Sequence, residues 1–427
     1  MEPDPTATVD VPVVDPVTSA APVGVAAPVG RRYVQLVLVL GAVIAVGPLS
    51  IDMYLPALPA LADDLGTSQA GAQVTLTAML AGLALGQLVL GPVSDAYGRR
   101  RVMLSGLVVH VLMSVACALA PSLAMLTTAR VVQGLAGAAL AVTAMAMVRD
   151  LFEGSDAARM LSRLVLVIGV APVLAPTFGG LVLGFTDWRG IFWVLGAAAA
   201  VLVVVAGVGL AESLPVSRRR PLHVRSTLST YGSLLRDRTF VALVLTAGLM
   251  FAAIFAYVSG ASFVLQDVYG LSERTFGFVF GANALVLVVF SQLNPVLLDR
   301  FTPLQVLSWS TVAGLVAGAL LVAVTLSGSD SVVLLMLPLA GVMAAVSLAM
   351  PNTPALALSR HGEVAGTAAA LLGTVQFGVG ALVAPLVGAF GEGTAVPMGV
   401  VILSVTALGT VLTWAVVRPA AKRAQAA

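Results

Sequence analysis

Apolar residues run along this chain in twelve long stretches separated by short polar connections. A helix needs about 20 mostly apolar residues to cross roughly 30 Å of hydrocarbon, and each stretch has that reach. The pattern predicts spans at 33–56, 71–93, 101–120, 122–148, 160–184, 190–211, 239–265, 275–297, 304–326, 331–350, 364–388 and 394–417. The only sizeable interior polar segment, 212–238 (ESLPVSRRRPLHVRSTLSTYGSLLRDR), divides the spans six and six. The expected architecture is an all-α integral membrane protein of twelve transmembrane helices in two pseudo-repeat halves, 31–211 and 239–418. A disordered tail is expected over 1–30, a basic linker over 212–238 and a short tail over 419–427. Two six-helix halves suit a transporter built from repeats that rock around a midplane site.

The arginines orient this array. Of the 22 Lys and Arg residues, 19 lie before the first span, in or flanking every second connection, or in the last tail. Arg189 and Arg274 lie on the opposite side, and Arg130 lies within a span. The positive-inside rule makes the basic side cytoplasmic and places both termini there. The first 30 residues hold four acids and no base, whereas a cleaved secretory leader needs a basic region ahead of its apolar core.

Composition narrows the function classes. Hydrophobic residues make up 59% and charged residues 10%, against about 25% charged in soluble domains, which argues against a soluble enzyme. The basic residues are spread over one membrane face and form no nucleic-acid patch. Cys117 is the single cysteine, so neither a disulfide framework nor a cysteine metal site is expected. An intramembrane lipid enzyme would need clustered acids or an activated nucleophile. Asp63 and Asp64, alone in an outer connection, are a poor candidate for that role. No metal and no cofactor is expected.

Between the second and third spans stands GPVSDAYGRRR, with Gly91, Asp95, Gly98, Arg99, Arg100 and Arg101. A tight glycine-flanked turn carrying one carboxylate and three guanidiniums can exchange ion-pair partners at helix ends. Here the chain resembles the major facilitator superfamily, whose loop pattern it matches with Val93 in place of Leu and Ala96 in place of the usual base. The resemblance implies that Asp95 holds one closed state against a helix end of the other half, and that Arg99 pairs with Asp150 at the end of the fourth span. Together Gly91, Asp95, Gly98, Arg99 and Asp150 form the expected conformational switch.

The fourth span reads RVVQGLAG from Arg130, with Gln133 and Gly134, and resembles the second motif of that superfamily. Arg130 lies too deep to snorkel and needs an acidic or carbonyl partner. Asp52, in the outer part of the first span, is the clear intramembrane carboxylate. A carboxyl group whose hydration and distance from a guanidinium change through a cycle can release and rebind a proton, so Asp52 and Arg130 are the expected proton-coupling pair. The fifth span carries APVLAPTFGG, with Pro172, Pro176, Gly179 and Gly180. It is similar to the antiporter motif of the drug/proton branch, with Ala171 and Ala175 in place of two glycines. Prolines can kink this helix and small residues let it pack closely.

Those motifs, with SIDMYLPALPALADDLG, DWRGIFWVLG and GTAAALLGTVQFGVGAL, make the chain similar to bacterial Bcr/CflA-type efflux proteins over about 31–418. The resemblance implies proton-driven efflux of lipophilic neutral or cationic drugs by alternating access, with the proton gradient as energy source. Protons, a drug and the bilayer would be the partners of a monomer in the bacterial cytoplasmic membrane. Uptake, or export of one natural metabolite, is the alternative. Met53, Tyr54, Gln133, Tyr257, Asn283 and Gln376 are expected to line the substrate cavity. Gln266, Gln292, Asn294, Met350, Phe251 and Phe255 are further candidates in the second half, where no span carries an evident buried charge. His110 is expected to be structural.

Overall fold

In the computed structural model, the described residues are 30–219, 224–391 and 393–426. All regular structure among them is helical. The twelve long helices are α1 (Arg31–Asp52), α2 (Gln69–Tyr97), α3 (Arg99–Ala118), α4 (Leu123–Leu151), α5 (Gly154–Leu183) and α6 (Trp188–Gly209). The second half holds α7 (Arg238–Phe263), α8 (Glu273–Leu298), α9 (Pro303–Leu326), α10 (Val332–Leu358), α11 (Ala365–Val383) and α12 (Val396–Leu412). In the linker, residues Val224–Leu234 form a further helix. The tail expected over 1–30 lies almost wholly outside the described residues, as does Arg220 of the linker.

Local sequence explains the boundaries. At their outer starts α2, α4, α8 and α10 are capped by the hydroxyls of Ser68, Ser122, Ser272 and Ser331, and α6 by the Asp187 carboxylate. Each accepts a hydrogen bond from a backbone N–H that lacks an intrahelical partner. On the inner side Asp237 caps α7, and Thr302 with Gln305 forms a capping box at α9. Among the spans whose ends depart from expectation, the first and the tenth differ at prolines. The first helix stops at Asp52, four residues after Pro48, and continues as a 3-10 turn (Leu55–Ala57) and a short helix, Leu58–Asp64. The tenth runs eight residues past its expected end, through Pro351 and Pro354 to Leu358; proline is tolerated in membrane helices where neighbours satisfy the freed carbonyls.

Small residues bring the helices together. At the α2–α4 crossing, a Cβ on Gly82 would overlap the Val131 carbonyl oxygen, and one on Gly134 the Met79 carbonyl oxygen. This is the close backbone approach that glycine permits between membrane helices. The halves meet along α2 with α11 and α5 with α8. Hydrogen bonds between the halves gather at the outer ends. Ser262 donates to the Leu55 carbonyl at 2.5 Å and Gln266 to the Pro56 carbonyl at 3.1 Å. Fully buried Gln73 donates to the Ser259 carbonyl at 3.0 Å and accepts from the Gly388 N–H at 2.9 Å. Deeper in, Thr374 donates to the Ala84 carbonyl at 3.1 Å. These contacts seal the outer side.

Asp64 is not the isolated acid expected from sequence. It accepts from the Arg189 guanidinium at 2.6 Å and the Trp188 indole at 3.1 Å, tying the extension of α1 to the start of α6. The chain folds back there, which residue order alone does not disclose.

Candidate functional site

Arg130 is the centre of the first half. It is fully buried on α4, where Nη1 donates to the Ser50 carbonyl at 2.9 Å and to Gln133 Oε1 at 2.7 Å. The Ser50 carbonyl is available because α1 ends at Asp52, leaving its last carbonyls without helical donors. Gln133 donates in turn to Ser114 of α3 at 2.9 Å. The Arg130 Cζ lies 4.5 Å from the Tyr54 ring centre and 5.7 Å from that of Phe192, so two aromatic faces help offset the cost of burying the charge. The Tyr54 phenol is paired with Thr75 of α2 at 3.1 Å.

Asp52 does not complete this cluster. It is two residues beyond Ser50, about 200° further round the helix. Its carboxylate has neither an ion pair nor a hydrogen bond with a described residue, and the residue is 5% exposed. Arg130 correspondingly keeps Nε and Nη2 without partners. In this conformation the guanidinium is held by a carbonyl, not by an acid. Met53, Tyr54 and Gln133, expected to line the substrate cavity, are buried in this conformation. Tyr54 and Gln133 shape the Arg130 environment, and the Met53 carbonyl packs on α5. His110 does more than fill space: its Nε2 lies 3.1 Å from Ser50 Oγ, on the residue whose carbonyl holds Arg130. Being the one histidine inside a span was its only signal in the sequence.

At the inner face the α2–α3 turn brings Asp95, Arg99 and Asp150 together. Arg99 pairs with Asp95 at 2.5 Å and with Asp150 at 3.1 Å, and Asp150 also accepts from Ser213 at 2.9 Å. Gly98 adopts φ +100°, and a Cβ there would meet the Glu212 carboxylate. Glu212, which sequence reasoning did not single out, accepts the Arg99 N–H at 2.8 Å and caps the start of α3. Its position just past α6 gave no hint, because the contact spans more than a hundred residues of chain. A Cβ on Gly91 would make only an ordinary contact, with Val142.

Pro172 and Pro176 lie within an unbroken α5, and Gly179 and Gly180 place it between two other helices. A Cβ on Gly179 would overlap the Met53 carbonyl oxygen of α1; one on Gly180 would meet the Glu273 carbonyl of α8 at 2.9 Å. Gly277 and Gly281 of α8 approach the Pro176 and Val173 carbonyls, and Thr177 donates to the Gly277 carbonyl at 3.2 Å. This motif is thus a close-packed junction between the halves that also touches the end of α1 beside Asp52.

The second half offers neutral groups. Tyr257 stacks on Phe280 with ring centres 5.0 Å apart and 10° between planes. Gln376 donates to the Met350 sulfur at 3.8 Å, and Phe251 packs on Phe255 and Phe377. Asn294 is paired with Asn352 across α8 and α10 at 2.6 Å, while Gln266 serves the outer seal. Gln292 is exposed and donates to Ser291 Oγ at 3.2 Å. Among the described residues no group of His, Cys, Asp and Glu is arranged to hold a metal ion.

Comparison with known proteins gives this geometry a family. A profile described as Major Facilitator Superfamily matches residues 40–385. The chain is 38% identical over 389 residues to an uncharacterized MFS-type transporter, YdgK, of Bacillus subtilis, covering 90% of this chain and 95% of that one. It is 31% identical to a bicyclomycin resistance protein homolog of Haemophilus influenzae, covering 85% and 91%. In fold it is similar to a bacterial homolog of the human lysosomal transporter Spinster, with TM-score 0.72 at 17% identity over 90% and 96% of the two chains. With twelve spans, a motif-bearing α2–α3 turn and these relatives, the chain belongs to the major facilitator superfamily of membrane transporters.

Proposed function

We propose that this protein is a proton-coupled exporter of lipophilic neutral or cationic small molecules, working by alternating access in a bacterial cytoplasmic membrane. The observation that carries the reading is that the two buried opposite charges on α1 and α4 do not meet: Asp52 has no ion pair or hydrogen bond with a described residue, and Arg130 keeps Nε and Nη2 without hydrogen-bond partners. A buried charge left in this way is costly. Asp52 closes α1 beside a proline-marked helix break and beside the Gly179 junction, so a movement of α5 against α1 shifts it directly. When the outer side opens, the carboxylate reaches the free guanidinium donors. A proton arriving from outside breaks that pair and the drug leaves; on the inner side Asp52 gives up its proton and the drug rebinds. The relative named for bicyclomycin resistance supports a drug as cargo.

The test is drug-induced proton release from purified protein. Wild type is expected to release protons when chloramphenicol or another lipophilic drug binds, and Asp52→Asn to bind without release. Full release by Asp52→Asn removes the mechanism. Uptake of a nutrient is the less supported direction, favoured only by Ala171 and Ala175 standing where the antiporter motif has glycine.

A further inference from the structure

Two of the four tryptophans, Trp188 and Trp193, stand at the outer start of α6; the other two, Trp309 and Trp414, stand toward the inner ends of α9 and α12. Tryptophan favours the headgroup zone of a bilayer, and on the inner side only this corner of the molecule supplies it. Both rings are open to the surroundings, at 49% and 44% exposure. They belong to one surface. Thr410 of α12 donates to the Thr311 carbonyl of α9 at 2.9 Å, and each tryptophan lies inward of that bond, two residues from Thr311 and four from Thr410. Phe301, in the α8–α9 connection, folds back on Trp309 with ring centres 4.7 Å apart.

The charges lie one step further in. Beyond α12 a π-helical turn (Thr413–Val417) runs into a helix, Arg418–Ala426, and α9 and α7 both meet that turn. The Arg418 guanidinium lies 3.8 Å from the Trp414 ring centre. Stacking occupies a flat face of the guanidinium and leaves its N–H edge available; among the described residues no carboxylate or carbonyl takes those donors. Lys422, one turn further along the same face, and Arg423 are exposed. From Pro303 to Leu326 and from Val396 to Ala426 there is no acid. Asp299 precedes this surface beside Arg300, and Asp237, at the inner start of α7, is already held by His361 and by its own capping N–H groups. Outward from the tryptophans, exposed apolar side chains continue toward the membrane centre: Val312, Val316 and Leu320 on α9, Val411 and Leu408 on α12. Bases, then indoles, then an apolar track reproduce by depth the phosphate, ester region and acyl chains of one phospholipid. A zwitterionic headgroup carries its own cation and gains less from a surface that offers bases.

We propose that the inner edge of α9 and α12 is a binding site for a phospholipid of net negative charge, with Arg418 taking the phosphodiester and Trp309 and Trp414 seating the ester region. The site is independent of the cargo and of the direction of transport. It is tested by native mass spectrometry of the purified full chain titrated with phosphatidylglycerol or with phosphatidylcholine of the same acyl chains. Wild type is expected to bind the first about tenfold more tightly, and Arg418→Gln to lose that preference. Lys422→Gln, at an exposed position where folding is not at stake, is expected to weaken phosphatidylglycerol about fivefold, the worth of one base at a membrane surface. Trp309→Leu is expected to weaken both lipids alike, since it serves the region they share. Arg31→Gln, at the inner start of α1, is expected to change neither. Inorganic phosphate is expected to displace the lipid no better than chloride at equal ionic strength. Equal affinity of wild type for the two lipids overturns the inference. So does an equal loss in Arg31→Gln and Arg418→Gln, which would reflect attraction by the whole basic face. Selective displacement by phosphate also overturns it, since the site would then serve a free anion.

Discussion

The two halves share a helix count and differ in chemistry. The first holds Arg130 and Asp52 within its spans, the Asp95–Arg99–Asp150 network at its inner face and Asp64–Arg189 at its outer face. The second keeps its interior neutral, with Tyr257, Asn283 and Gln376 buried there, and places a His361–Asp237 contact of 3.2 Å at the inner rim. Charges interact strongly in a medium of low dielectric constant, so a small displacement of one helix changes their energy greatly. Neutral amides and rings discriminate among ligands at lower energetic cost. Under the proposed function this contrast amounts to a division of labour, with coupling in one half and recognition in the other.

Replacing the central charge gives the most severe test of that division. Arg130→Lys keeps the charge but shortens the reach to Ser50 and Gln133 and loses the flat packing on Tyr54. Drug-induced proton release is expected to fall roughly 10- to 100-fold, the worth of a charged hydrogen bond, with drug binding much less affected. If binding and release fall together, the halves do not divide the work. A smaller effect is expected at the outer seal. Gln73→Leu deletes both neutral bonds of Gln73 to the second half. At about 1 kcal/mol each, their loss is expected to move the balance toward the outward-open form by tenfold or more. Spin-label distances between the α1–α2 and α7–α8 connections read this shift, and its insensitivity to salt would confirm that the seal is uncharged.

The smallest effect is expected at the inner rim of the second half. Burial alone would raise the Asp237 carboxyl, but the N–H groups of Phe240 and Thr239 and the His361 ring outweigh it and hold the group below its ordinary value. A depressed carboxyl stabilises the fold above its unfolded value of about 3.9, and that contribution is lost as pH falls through the lower folded value. Asp237→Asn is therefore expected to melt below wild type near neutral pH, with the difference closing in acid. A gap that persists in acid would show that the capping geometry, not the charge, matters there.

Hydrophobic run lengths and the placement of arginines were enough to read twelve spans, two halves and the orientation, because the bilayer imposes a length on each helix and a charge bias on each connection. The motif residues were legible for the same local reason: Asp95, Gly98 and Arg99 sit within five positions of one another. Partner choice was not. That Arg130 takes the Ser50 carbonyl follows from where α1 ends, at a point packed closely against Gly179 of α5. Glu212, Gln73 and Asp64 act on groups scores to hundreds of residues away in the chain, contacts that no periodicity encodes. The sequence by itself determined which segments lie in the membrane and which carry charge, since solvation acts on each residue where it stands. Only the tertiary structure decided which charges meet, which polar groups stay unpaired and which side is sealed, since those depend on helices that come together only when the chain has folded.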